Sequence, residues 1–318
     1  MKDLFEVTIE VLQRCPNKCI CCSSWSSLDK TEALDFDTIC GIVDDAVELG
    51  AEQINVSGGE PFLRTDIISI IDYIKSKGLK IRLYTSGIYY SQGFHSIPDT
   101  LLEAIAGKVD TLIFNYETAI SNLYAKIMGT VPGNLLLIEE TIKTATNLGI
   151  TVEAHLVPMK CNYREIPQTL ERAYSLGVSK VSLLRFVQQG RSVENVEVTV
   201  LAKEEEEALK EMLKELSRKY GDQLRIGKPY RSEKFSTCRT GTIRLAVRYD
   251  GFVFPCGAFK DGMMAFKGFA PENIKEKSLS EIYRDSKYIK AVREELAKYY
   301  EGEVSEPCFG QYCRNQCN

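Results

Sequence analysis

A chain of 318 residues can bury one large core or two smaller ones. Its 44% hydrophobic and 26% charged content is ordinary for a globular protein, and a net charge of −4 with a pI near 5.6 gives no general attraction to nucleic acid or an anionic membrane. No run of about 18 apolar residues offers a membrane span, and only four residues precede Phe5, so no signal peptide is expected and the cytoplasm is the expected compartment. Eleven cysteines would suggest disulfides in a secreted chain, but in a reducing compartment their clustered spacing favours metal.

The first apolar stretch, 6–12, is expected as a strand. It runs into C-P-N-K-C-I-C-C, where Cys15, Cys19 and Cys22 are spaced Cys-x3-Cys-x2-Cys. Thiolates are the usual protein ligands of a [4Fe-4S] cube, and three from one loop leave one iron open to bind and activate something. A zinc knuckle is the alternative. Zinc sites usually pair two short Cys or Cys/His steps, however, and no second pair lies nearby; the chain's histidines are His95 and His155.

A helical pattern over 37–49 leads to a strand at 52–57, after which Ser57-Gly58-Gly59-Glu60-Pro61 places two residues without a Cβ where backbone can approach a ligand closely. A helix at 65–77 and a strand at 80–85 follow, ending in Thr85-Ser86-Gly87. A helix at 99–106 precedes a strand at 110–115, with Asn115-Tyr116-Glu117 at its end. A helix at 134–147, a strand at 150–157 bearing His155, a helix at 163–176 and a strand at 180–186 bearing Arg185 complete the series. Gly50, Gly78, Gly149 and Gly177 stand where helix C-caps belong. This alternation implies parallel strands with right-handed crossovers, and six units are too few for a closed eight-stranded barrel. The expected fold is α/β, a partial (β/α)6 TIM-like barrel over 1–195, with the unusual residues gathered at the strands' carboxyl ends.

Beyond 196 the pattern changes. Residues 202–219 suggest an exposed amphipathic helix, so 196–234 is taken as a bridging region, and 278–300 suggest another such helix. Arg244 to Pro255 form two strand-like halves around Asp250-Gly251, which suits a tight hairpin. That hairpin would bring Cys256 back beside the segment bearing Cys238, and Cys308, Cys313 and Cys317 would close the site within a C-terminal domain over 235–318. Five thiols suffice for one four-iron cluster with one to spare; a disulfide or zinc role is the alternative. The cations from Arg225 to Arg248, opposed only by Glu233, either offset an anionic cluster, attract an acidic substrate, or are simply solvated. Cys40 and Cys161 stand alone in sequence, as buried small hydrophobes often do.

With these motifs in order, the chain resembles the radical S-adenosylmethionine (SAM) superfamily, and its C-terminal cysteines resemble the auxiliary-cluster domains called SPASM and, in shorter form, twitch. The resemblance implies an enzyme with SAM and two [4Fe-4S] clusters as cofactors, one SAM-binding and one auxiliary. Cys15, Cys19 and Cys22 would hold the catalytic cluster, whose open iron binds the amino and carboxylate groups of SAM; reductive cleavage yields a 5′-deoxyadenosyl radical that abstracts a substrate hydrogen. Gly58, Gly59 and Glu60 would meet the methionine amino group, Ser86 would lie in the strand-three SAM turn, and Arg185 would bind the carboxylate through a bidentate pair. His155 is either a cofactor or substrate contact or a core histidine. Cys238, Cys256, Cys308, Cys313 and Cys317 would supply the auxiliary ligands. The chain departs from the common pattern at Cys21, where an aromatic residue is usual, at Ser86, where asparagine is, and at Asn115 to Glu117, where an aspartate-glycine pair is.

The implied activity is modification of a peptide by crosslinking, thioether formation or epimerisation. A small-molecule dehydrogenase or epimerase of the twitch type is the alternative, and a non-enzymatic electron carrier or redox sensor a third. A flavodoxin or ferredoxin is the implied reductant, with no nucleic-acid or membrane partner. The short stretch before the first strand leaves no room for the leader-binding domain of many peptide modifiers. Cys161, just past strand five, is either an inert thiol or a hydrogen-atom donor for epimerisation.

Overall fold

The computed structural model describes residues 4–227, 230, 238–260, 265–301, 309–310 and 312–313. Its strands are β1 (Glu6–Glu10), β2 (Gln53–Ser57), β3 (Lys80–Thr85), β4 (Ile88–Tyr90), β5 (Phe94–Ser96), β6 (Thr111–Asn115), β7 (Val152–Leu156), β8 (Lys180–Leu183), β9 (Leu224–Ile226), β10 (Arg244–Val247) and β11 (Val253–Phe254). The helices are α1 (Phe36–Glu48), α2 (Ile67–Ser76), α3 (Asp99–Ile105), α4 (Ser121–Met128), α5 (Asn134–Asn147), α6 (Ile166–Ser175), α7 (Val196–Thr199), α8 (Lys203–Tyr220), α9 (Leu279–Asp285) and α10 (Lys287–Glu301).

One sheet runs in the order β11-β10-β1-β2-β3-β6-β7-β8-β9 and does not close on itself; β4 and β5 form a separate hairpin. The six expected strands are all there, parallel and in chain order. Period-two alternation gives the sheet two faces of different chemistry. Val7, Ile9, Ile54, Val56, Leu83, Leu112, Phe114, Val152, Ala154 and Leu183 are buried in the core shared with the helices. The alternate set is largely polar. Thr8, Glu10, Tyr84, Asn115 and His155 line a cavity, and below it the Asn55 amide donates to Thr8 Oγ1 and Glu6, while Arg82 pairs with Glu153 at 2.9 Å.

The helices cover the apolar side for local reasons. Asp35 caps α1 by accepting from Thr38 N at 2.8 Å. In α2 the buried Ile67, Ile70, Ile71 and Ile74 follow the i, i+3, i+4, i+7 stripe.

The sheet is wider than six strands. β9, from the bridging region, pairs parallel with β8, and β10, from the C-terminal region, pairs parallel with β1 through Glu6↔Arg244 to Ile9↔Val247. The C-terminal segment is therefore built onto the barrel edge. The expected hairpin is present: β10 and β11 are antiparallel, with Gly251 at φ +93°, a conformation that favours glycine. The single helix expected over 278–300 is two, because Ser286 ends α9 and its Oγ accepts from Ile289 N at 3.2 Å to cap α10. Among the described residues no helix is long and apolar enough to cross a membrane.

Candidate active site

At the carboxyl ends of the strands lies a cavity of about 450 Å³. Cys15, Cys19 and Cys22 line it together with Gly58, Gly59, Ser86, His155 and Arg185, so residues spread over 170 positions of sequence share one wall. Asn115 and Glu117 line it too, as does Cys21; Cys161 is not among the lining residues. The thiol on the cavity outside the Cys-x3-Cys-x2-Cys spacing is thus Cys21. Cys161 instead donates its backbone N–H to Val198 O at 3.0 Å, and burial pushes its thiol up to about 11.

The cysteine loop is held by its backbone, which leaves the thiols to face the cavity. Helix α4, which lies between the elements expected from the sequence, presents its last carbonyls to the loop: Lys18 N donates to Met128 O and Ile20 N to Ile127 O, both at 2.9 Å. Gly129 ends that helix at φ +59°, against the Lys18 carbonyl, where a Cβ would collide. From the opposite side, Arg191 donates through its guanidinium to Cys19 O at 2.6 Å and Ser26 O at 2.9 Å, and through its backbone N–H to Cys22 O. Gly190 must be glycine for this approach, since a Cβ would strike the Cys22 carbonyl. Arg191 lies six residues past Arg185 in sequence. Its clamp is a tertiary fact.

The second motif is fastened to the first. Gly59 N donates to Leu12 O at 2.7 Å and Glu60 N to Arg14 O at 2.8 Å. Gly58, at φ +144°, brings its Cα so near that a Cβ would stand 2.5 Å from Leu12 O. The two glycines therefore let the strand-two turn lie directly on the cysteine loop.

Glu60 is not among the residues that line the cavity. It is fully buried, and its carboxylate accepts from Ser86 N at 2.6 Å, Ser86 Oγ at 2.5 Å, Thr85 Oγ1 at 2.9 Å and Phe62 N at 3.2 Å. Burial pushes its carboxyl up to about 7 against those donors. Glu60 ties the strand-two turn to the strand-three turn and presents Ser86 to the cavity, while Gly58 and Gly59 supply the cavity surface.

Burial, reinforced by the Glu60 carboxylate, pushes the Cys15 thiol well above its ordinary range. Cys19 is raised by burial and by the neighbouring Cys22 and Cys15 thiols, with Arg191 acting in the opposite sense. Thiols so placed give up their protons when a cationic metal cluster takes them as ligands. Among the described residues no three Cys, His, Asp or Glu side chains converge on one metal ion. A four-iron cube holds its thiolates on separate corners, a wider arrangement. His155 adds an acceptor or donor without a protein partner: its Nε2 is buried and makes no hydrogen bond, burial lowers its imidazole to about 3, and Tyr84 packs edge-on at 5.4 Å. An orphaned polar atom on the cavity wall fits a bound polar cofactor.

The C-terminal region covers part of the mouth. Gly257, Ala258 and Lys260 line the cavity, Gln189 donates to Gly257 O at 3.0 Å, and Lys260 pairs with Glu10, a carboxylate only 2% exposed that also accepts from Ser24 Oγ. Nothing in the sequence pattern hinted at this pair. Gly241 N donates to Pro255 O at 3.0 Å, which places Cys256 beside the Cys238 segment, and burial, then the nearby Cys256, raise the Cys238 thiol. Cys313 is fully buried, next in sequence to Tyr312, which forms an aromatic cluster with Tyr299 and Phe309. Cys308 and Cys317 lie outside the described residues, as do Lys228, Arg231, Glu233 and Lys234.

Comparison with known proteins agrees with this arrangement. Residues 9–173 match the radical SAM superfamily, and residues 238–318 match SPASM, an iron–sulfur cluster-binding domain. The chain is 27% identical over 268 residues to the probable GTP 3′,8-cyclase of Methanococcus maripaludis strain C5, spanning 80% of this chain and 85% of that one. It is 27% identical over 293 residues to the PqqA peptide cyclase of Rhizobium meliloti strain 1021, spanning 90% and 75%. The structure of Streptococcus suis SuiB bound to its precursor peptide SuiA superposes with a TM-score of 0.73 at 17% identity, over 92% of this chain and 67% of that one, a likeness of fold. The loop of three thiols, the glycine turn laid upon it and the iron–sulfur domain at the sheet edge are the parts of one machine, and the chain is an enzyme that belongs to the radical SAM superfamily.

Proposed function

We infer that the enzyme modifies a peptide, by crosslinking, thioether formation or epimerisation. The observation that carries this reading is the joint wall of the cavity, in which the cysteine loop and the C-terminal Gly257–Lys260 segment face the same space. The relative named PqqA peptide cyclase aligns with 90% of this chain, against 80% for the GTP 3′,8-cyclase.

In this reading Cys15, Cys19 and Cys22 hold the SAM-binding cluster, and Cys238, Cys256 and Cys313, with Cys308 or Cys317, hold the auxiliary one. When bound, the clusters and SAM supply the electron and the adenosyl radical chemistry. The protein's part is position and exclusion of water. Gly58 and Gly59 offer backbone to the methionine end of SAM, Glu60 fixes Ser86 beside it, and Arg185 and His155 face the same space from strands six and five. Arg191 keeps the cysteine loop in register. A flavodoxin or ferredoxin serves as reductant.

The test is turnover of the anaerobically reconstituted enzyme with the short peptide encoded beside its gene. Expected are 5′-deoxyadenosine and a modified peptide, lighter by two hydrogens for a crosslink, or unchanged in mass with solvent deuterium incorporated for an epimer. Consumption of GTP with no change in the peptide would overturn the reading in favour of a small-molecule substrate.

A further inference from the structure

A second concavity, of about 630 Å³, is lined in part by Leu12 and Arg14, which lead into the cysteine loop, and shares no lining residue with the cavity. Leu12, Leu28, Ala33 and Leu63 give it an apolar floor. Arg14, next to Cys15 in sequence, and Lys30 stand on its rim. Arg64 belongs to its wall but is committed, donating to Val11 O and Leu34 O and paired with Asp66.

The cationic surface continues past the groove. Lys18, exposed between Cys15 and Cys19, and Lys30 both act on the carboxylate of Asp29. Lys126 is exposed on the last turn of α4, the helix whose final carbonyls hold Lys18 and Ile20. In this region the cations Arg14, Lys18, Lys30 and Lys126 outnumber the carboxylates Asp29 and Glu32, Asp66 being paired with Arg64, on a chain whose net charge is −4. Arg14 and Lys18 belong to the segment that carries Cys15 and Cys19.

We propose that this groove and its cationic rim are the docking surface for a small acidic one-electron carrier protein of the flavodoxin or ferredoxin type. The inference rests on the radical SAM reading and names the face at which its reductant arrives. The reduced carrier would give up one electron to the cluster that Cys15, Cys19 and Cys22 would hold; no covalent bond would form or break between the two proteins. A substrate must reach the cavity side, where the thiols point, whereas an electron has only to cross the loop. A small apolar floor with an excess of cations about it suits a brief, electrostatically steered encounter at the low end of interface sizes.

The test uses cluster-loaded enzyme and oxidised flavodoxin as a binding probe, titrated by calorimetry at low and high salt. R14E/K30E should raise Kd by about ten-fold or more and flatten its salt dependence, whereas K203E/K210E on α8, with the same change of charge, should not. Carbodiimide crosslinks should join carrier carboxylates to Lys18, Lys30 or Lys126. SAM cleavage driven by flavodoxin below saturation should fall with the affinity in R14E/K30E, while cleavage driven by dithionite stays unchanged. An unchanged Kd, an equal weakening in the α8 variant, or loss of dithionite-driven cleavage in R14E/K30E would each overturn the proposal. A wild-type enzyme that fails to cleave SAM with dithionite would overturn the underlying reading instead.

Discussion

Cys15, Cys19 and Cys22 stand within eight residues on one loop, whereas Cys238, Cys256 and Cys313 come from three separate segments of chain. The first set shares one loop, whose backbone is held by the last carbonyls of α4 and by Arg191. For the second set to meet as proposed, the β10–β11 hairpin, the pairing of β10 with β1 and the packing of Tyr299, Phe309 and Tyr312 must all be in place. The spacing of the first set is encoded locally, whereas a site assembled from three segments depends on the docking of the C-terminal region.

The largest effect that separates the two sets is on iron. Reconstituted protein should hold about eight irons as two cubes, and replacing Cys15, Cys19 and Cys22 together by alanine should remove about half of them and all SAM cleavage. Cys238→Ala with Cys256→Ala should remove the other half, lose product, and keep SAM cleavage. Iron content and 5′-deoxyadenosine yield measure both. Residual SAM cleavage in the first variant would break the comparison at its root.

The next effect tests the docking. Lys260→Met leaves Glu10 buried without its cation and should cost about 3–5 kcal/mol in urea unfolding. E10Q/K260M should recover much of that loss, because the buried charge is gone as well. Equal stability of wild type and Lys260→Met would mean that the C-terminal region is not held through this pair.

A smaller effect sharpens the local side. Cys21→Ala should keep both clusters, since Cys22 completes the spacing, while removing a thiol from the cavity wall. If product from wild type carries solvent deuterium, loss of that label in Cys21→Ala, with label retained in Cys161→Ala, would identify Cys21 as the hydrogen donor. Loss of the reactive cluster in Cys21→Ala would show that Cys21, and not Cys22, is the third ligand.

The smallest effect is a pH slope. Burial pushes Glu117 up to about 8, with the Val157 N–H donating to it at 2.8 Å. The native state keeps this proton up to about pH 8, while the unfolded chain releases it near pH 4.3. Across that window the unfolded state binds fewer protons, so stability falls as pH rises. Glu117→Gln should remove this share of the slope, about 1 kcal/mol or more between pH 5 and pH 8. Parallel stability curves for the two proteins would place Glu117 in water rather than in the cavity wall.

Sequence alone settled the βα alternation, the three-thiol loop, the glycine turn and the hairpin, because each is written in short-range terms: period-two and period-3.6 patterns, fixed ligand spacing, and residues that tolerate positive φ. It placed His155, Arg185, Asn115 and Glu117 at strand ends, from which the cavity followed. It did not disclose the clamp of Arg191 on Cys19 and Ser26, 172 and 165 residues away in sequence, the Glu10–Lys260 pair, or the commitment of Glu60 to Ser86. Nor did it show that β9 and β10 widen the barrel sheet, since short strands carry no pattern that names their partner. Long-range hydrogen bonds and ion pairs leave no periodic trace in a chain. They exist only once the sheet has curved and brought its edges and loops to one mouth, so the folded protein alone decides which of its polar residues touch the chemistry and which hold the others in place.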